Sequence, residues 1–148
     1  MVDELDKKIV SFMSGGVYSY GELAKLCGVG RSTIYRRVEE LERKGVIRRK
    51  VMAIPDFDKL GLSAVIIGMD MYPNELERVV PFLKEHDRVK LLWKTYGTHD
   101  IVLAILCDKD DIGRCIHDLR KELAELGVTP AKFDVSISIS WEKMQLRA

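Results

Sequence analysis

No apolar run in this 148-residue chain reaches the roughly 18 residues that a membrane span requires. The opening M-V-D-E-L-D-K-K lacks the basic start and apolar stretch of a secretory signal, so a cytoplasmic location without membrane association is expected. Cysteine is scarce: Cys27, Cys107 and Cys115, with no C-x-x-C. That excludes a paired-cysteine zinc site. The odd count argues against a disulfide framework, and apolar neighbours make buried free thiols the expectation. Cys115 and His117, two apart on a helix, face different ways, so no metal site is expected. Asn and Gln occur once each (Asn74, Gln145) among many Lys, Arg and Glu, as in heat-stable proteins. An excess of one charge is also missing. The net charge of +1 excludes a molecule that is basic throughout.

Hydrophobic residues make up 47% of the chain, enough to bury a core in one ordinary domain or two small ones. The charge is unevenly placed. Residues 1–50 hold 11 Lys/Arg against 7 Asp/Glu, and residues 51–148 hold 13 against 16. Within residues 31–50 the count is 8 against 3. One half is therefore suited to a polyanion and the other is not.

Leu5, Ile9, Phe12 and Met13 recur at helical spacing behind Asp3, a good N-cap. The pair Gly15-Gly16 stops that helix. Ser19 and Glu22 form an S-x-x-E capping box ahead of Leu23, Ala24, Leu26 and Cys27. Gly28-Val29-Gly30 reads as a tight turn. A third helix follows from Arg31, with Ile34, Val38 and Leu41 inward and Gly45 at its end.

A short helix, a glycine turn and a basic helix together form a helix-turn-helix pattern. An α-helix fits the major groove, and its first residues reach the base edges. Arg31 and Arg36 are suited to bidentate contacts with guanine. Ser32 and Thr33 can bond base or phosphate, and Tyr35 can meet a thymine methyl or a phosphate. Arg37 belongs to the same basic stretch, and Arg48, Arg49 and Lys50 follow the helix as phosphate contacts. A basic three-helix unit also serves as a protein-interaction module. Arg36 and Arg37 could equally pair with Glu39, Glu40 and Glu42 in their own helix. The pattern leaves these readings open.

Residues 46–54 read as an extended connector or strand ended by Pro55, and Gly61 closes the linker. Strands are expected over residues 63–72, 89–96 and 101–107. Phe133, Val135, Ile137, Ile139 and Trp141 alternate with polar residues, as in a strand with one wet and one buried face. Asn74 is suited to cap a helix carrying Leu76, Val79, Val80 and Leu83, which Pro81 should kink or shorten. Asp110 or Asp111 caps another, with Ile112, Ile116, Leu119 and Leu123 inward and Gly127 at its end. The order βαββαβ is the ferredoxin-like split βαβ arrangement. Two helices cover one sheet face. Leu91, Trp93, Val102, Ala104 and Leu106 make the other too apolar to stay wet, so homo-oligomerisation through it is expected.

These motifs resemble the Lrp/AsnC, or feast/famine, family of regulators. Leu5-Asp6 with Ile9 is similar to its L-D-x-x-I opening, and Glu22-Leu23-Ala24 to its E-L-A. The run from Gly28 to Val38 resembles its recognition helix, and Leu41 to Ile47 its L-E-x-x-G-V-I. Gly97-Thr98-His99-Asp100 resembles its G-x-x-D turn. Three features depart from the family: Gly30 stands where it usually has Ser, the segment around Gly15-Gly16-Val17-Tyr18 is slightly short, and Pro81 is additional.

The resemblance implies an α+β chain. Residues 1–50 would be a winged-type helix-turn-helix, 51–61 a linker, and 62–148 a βαββαβ effector-binding and oligomerisation domain. It implies an oligomeric, non-enzymatic transcriptional regulator of palindromic double-stranded DNA, without a cofactor. Gly97, Thr98, His99 and Asp100 would meet a small effector, an amino acid by family habit. Backbone N–H groups would take its carboxylate and Asp100 its ammonium. Tetrapyrrole decarboxylases that act on sirohaem-type substrates share the architecture and provide the enzymatic alternative, with His86, His99 and His117 as acids or ligands. No paired catalytic constellation accompanies them. A ligand sensor acting through protein contacts is a third reading.

Overall fold

Asp3 caps the first helix, α1 (Glu4–Ser14): its carboxylate accepts from the Asp6 N–H at 2.9 Å, and Asp6 returns the bond at 3.1 Å. The computed structural model describes residues 1–50 and 52–148; Val51, within the connector expected over residues 46–54, lies outside the described residues. Two units divide the chain, Met1–Ile54 with Lys143–Ala148, and Pro55–Glu142.

In the first unit α1 precedes α2 (Tyr20–Cys27) and α3 (Arg31–Arg43). Their apolar positions meet in one core of Ile9, Met13, Leu23, Ile34, Val38 and Leu41. Ser19 caps α2 by accepting from the Glu22 N–H at 3.3 Å. Gly28 ends α2 with φ 70°, a left-handed conformation that glycine adopts without strain. Leu26 of the same helix is exposed. Described residues 46–50 and 52–54 form no strand. The last residues belong to this unit: the Ala148 N–H donates to Ser14 Oγ at 2.9 Å, and the Arg147 guanidinium stands 5.9 Å from the Phe12 ring centroid.

The second unit is βαββαβ: β1 (Leu62–Asp70), α4 (Pro73–Glu85), β2 (Val89–Lys94), β3 (Ile101–Asp108), α5 (Ile112–Glu125) and β4 (Lys132–Ile137). The antiparallel sheet has the order β2-β3-β1-β4. Val65, Ile67 and Met69 lie beside Ile105, Leu103 and Ile101 on one face. Val79 and Leu83 of α4, with Cys115, Leu119 and Leu123 of α5, complete that core.

Four expectations are corrected. Tyr72 stands at the N-cap of α4 and Pro73 opens the helix, so Asn74 is not the cap; the fixed φ of proline suits the first turn. Helix α4 runs on through Pro81 to Glu85, so Pro81 does not shorten it. Pro81 and Glu77 both face solvent, so the carbonyl deprived of its helical partner can meet water. β4 ends at Ile137, with Val135 and Ile137 exposed and Ile139 beyond it. It is an edge strand; α4 packs on β2 and α5 on β3, leaving the outer strand largely uncovered.

The fourth correction concerns cysteine. Cys107 and Cys115 are joined in a disulfide, with Cα atoms 6.1 Å apart. Cys107 continues the inward phase of Ile101, Leu103 and Ile105, and Cys115 starts the inward phase of Leu119 and Leu123. Both side chains therefore enter one layer where β3 passes to α5. Parity of the cysteine count is blind to phase. Cys27 remains a free thiol, and its partial burial pushes its pKa up.

Candidate nucleic-acid interface and effector-site turn

Gly30 stands at the N-cap of α3 and gives the helix no side-chain cap. Arg31, Ser32, Tyr35, Arg36 and Glu39 form its exposed stripe, opposite the buried Ile34, Val38 and Leu41; Thr33 is half-buried at the edge. Among the described residues Arg31, Arg36 and Arg48 make no ion pair. The Tyr35 ring stands edge-on to Tyr20, with centroids 5.8 Å apart. That contact fixes where an otherwise exposed ring sits.

Two of the nominated arginines are engaged internally. Arg37 Nη1 donates to Asp3 Oδ2 at 2.6 Å and to Asp6 Oδ1 at 3.2 Å. Its Nε is buried and unpartnered among the described residues. The Asp6 N–H, and then the Arg37 guanidinium, hold the Asp3 carboxyl below its ordinary range. Arg49 donates to Glu42 Oε2 at 2.9 Å and to the Tyr20 hydroxyl at 2.7 Å. Neither Arg36 nor Arg37 uses the glutamates of its own helix. Glu40 pairs instead with Arg43 and Lys44, which lower its pKa to about 2.

The G-x-x-D residues lie on the turn between β2 and β3. Gly97 has φ 121°. The Thr95 N–H donates to the Asp100 carbonyl at 3.0 Å, and Thr95 Oγ1 to the His99 carbonyl at 2.6 Å. Asp100 Oδ2 accepts from the Met71 N–H at 3.1 Å, so one of its oxygens braces the sheet. Gly97 and Thr98 are exposed. His99 turns onto the sheet face that carries no helix. Its Nδ1 lies 3.0 Å from Asp70 Oδ1 and its Nε2 3.2 Å from Asp134 Oδ2.

Gly68, Asp70 and Asp134 complete this group and belong to no motif of the sequence. An isolated glycine inside an apolar strand was the available signal, since it marks a close approach. The same helix-free face carries exposed Ile66, Leu91 and Trp93, with half-buried Val102, Ala104 and Leu106 between them.

The winged helix-turn-helix DNA-binding family matches residues 2–48. The HTH-type transcriptional regulator LrpA of Pyrococcus abyssi is 37% identical over 112 residues, covering 74% of this chain and 78% of that one. This chain belongs to the Lrp/AsnC family. Its architecture is that of other Lrp/AsnC structures. PH0061, an uncharacterised HTH-type transcriptional regulator of Pyrococcus horikoshii, has a crystal structure that matches at TM-score 0.83 and 26% identity, over 99% of this chain and 98% of that one. A transcriptional regulator of Neisseria meningitidis, NMB0573, solved in complex with L-Met, shares the fold at TM-score 0.73 and 18% identity, over 100% and 96%. As an Lrp/AsnC member the chain is a DNA-binding transcriptional regulator, and the relatives it matches are named as regulators. No helix among the described residues is long and apolar enough to cross a membrane.

Proposed function

We propose that this Lrp/AsnC regulator is a sequence-specific, oligomeric DNA binder whose state responds to a small effector. The observation that carries the reading is the α3 stripe. Arg31 and Arg36 are exposed and make no ion pair among the described residues, beside Ser32 and Tyr35. Placed in a major groove, such a stripe offers bidentate donors to guanine and hydroxyls to bases or phosphates. Thr33 at its edge and Arg48 behind it supply phosphate contacts, which position the helix without reading sequence.

The helix-free sheet face is assigned to a second copy of the chain. Ile66, Leu91 and Trp93 are large, apolar and exposed together, and burying them stabilises association. A two-fold dimer presents two reading helices, so palindromic sites about 10 bp apart, or a multiple of that, follow. The effector site is assigned to the turn of Gly97, Thr98, His99 and Asp100. Support comes from the N–H groups of the exposed Gly97 and Thr98, the second oxygen of Asp100, and the L-Met complex of the Neisseria neighbour. An amino acid would shift the equilibrium between assembly or DNA-bound states through its differential affinity for them.

Titration of the protein against DNA upstream of its own gene, over a range of salt, tests the reading. Binding to that DNA tighter than to random DNA is expected, with affinity falling steeply as salt rises. Equal affinity for both sequences contradicts it.

A further inference from the structure

Arg37 sits in the middle of the basic stretch of α3, yet its contacts lead away from the reading stripe. One guanidinium nitrogen joins two carboxylates that themselves form the cap of α1. Asp6 is 6% exposed, so its charge lies against the core and needs a partner there. The pair spans more than thirty residues of sequence and ties the start of α1 to the middle of α3. The neighbouring Arg36 lacks any such partner among the described residues and remains on the exposed stripe.

We propose that Arg37 is a positioning residue of the DNA reader: through Asp3 and Asp6 it sets the seat of α3 on α1, and it does not touch DNA. The inference rests on the reading of α3 as the recognition helix. Base-edge contacts depend on the helix lying at the right depth and roll, whereas phosphate attraction depends mainly on the number of positive charges nearby. A loosened seat therefore costs specificity and leaves nonspecific affinity nearly intact.

Asp6→Asn separates this from a DNA contact by sign. It removes a negative charge from a polyanion-binding unit and releases Arg37. Were Arg37 a contact, both specific and random-DNA affinity would rise. As a positioning pair, Asp6→Asn and Arg37→Gln each lower specific affinity about tenfold. Random-DNA affinity then stays within about twofold, and the double variant is no worse than either single one. The slope of log affinity against log salt stays at the wild-type value for Arg37→Gln, whereas Arg48→Ala makes it shallower by about one.

Measurements are made well below each variant's melting temperature. Partial unfolding would lower both affinities equally and leave their ratio unmoved. If Arg37→Gln does not fold, Arg37→Lys carries the same prediction at smaller size, because a single ammonium serves both carboxylates less well. A shallower slope for Arg37→Gln together with tighter binding by Asp6→Asn overturns the proposal, and so do wild-type specificity ratios for every variant. Wild-type protein that does not distinguish its site from random DNA removes instead the reading of α3 on which the proposal rests.

Discussion

The imidazole of His99 occupies the space that a side chain at position 68 would need. A Cβ at Gly68 would overlap the His99 ring at Cδ2. The ring is held there from two strands, by Asp70 on β1 and Asp134 on β4. Gly68→Ala must expel it. The loss of those contacts and the forced repacking should cost about 1–3 kcal/mol, read as a lower melting temperature by calorimetry. The same variant should lose any thermal shift given by an effector amino acid, because His99 and Asp100 share one turn. An unchanged melting temperature would mean that the ring has another place to go.

The disulfide predicts a thiol count. Unfolded, unreduced protein treated with an alkylating reagent should gain one label, on Cys27, and three after reduction. Closing so short a loop is worth about 2–3 kcal/mol, so reductant should lower the melting temperature. Three labels without reduction would show that Cys107 and Cys115 are free thiols.

Acid should weaken the helical unit. Glu40 titrates at about 2 in the fold against an ordinary value of 4.5, held down by Arg43 and then by Lys44. Arg49 lowers Glu42, and the Asp6 N–H followed by Arg37 lowers Asp3. A carboxylate depressed by folding contributes fully above its unfolded value, and that contribution disappears as pH falls through the folded one. For Glu40 the window is therefore from pH 4.5 down to about 2. Asp3 is exposed and Glu40 and Glu42 are partly open to solvent, so the loss should be small and should shrink with added salt. Melting followed by circular dichroism should show a midpoint falling across the window, and Glu40→Gln should flatten the fall. A midpoint that rises on acidification contradicts this.

Trp93 is 48% exposed beside Leu91 and Ile66 on the helix-free sheet face. Trp93→Glu places a charge in the proposed interface between copies. Sedimentation should show wild-type protein at a multiple of the chain mass and the variant dissociating at higher concentration. Equal masses at all concentrations would move the interface elsewhere.

Much of this was readable in the residues. Ile9 and Met13 on α1, and Ile34, Val38 and Leu41 on α3, recur at helical spacing, and Gly28 and Gly45 mark the ends of two helices. Ile101, Leu103 and Ile105 alternate with half-buried neighbours, as a strand with one covered face requires. What escaped were relationships that need the third dimension. The partners of Arg37 lie more than thirty residues away, while glutamates stand closer in sequence on its own helix. His99, on a turn, meets carboxylates from two strands far from it in sequence. Alternation in β4 identified two faces but not whether a helix covers either one. Asn74 is the better cap by residue type, but Pro73 beside it took the first turn.

Arg36 tests the central claim most directly. It is exposed on α3 without an ion pair among the described residues, so its loss should cost base contacts rather than the fold. The measurement compares wild type with Arg36→Ala on DNA upstream of the gene and on random DNA at one salt concentration. Specific affinity should fall by about 1–3 kcal/mol, with a much smaller loss on random DNA. An equal loss on both would make Arg36 a phosphate contact, and no loss on either would contradict the assignment of α3 as the reading helix.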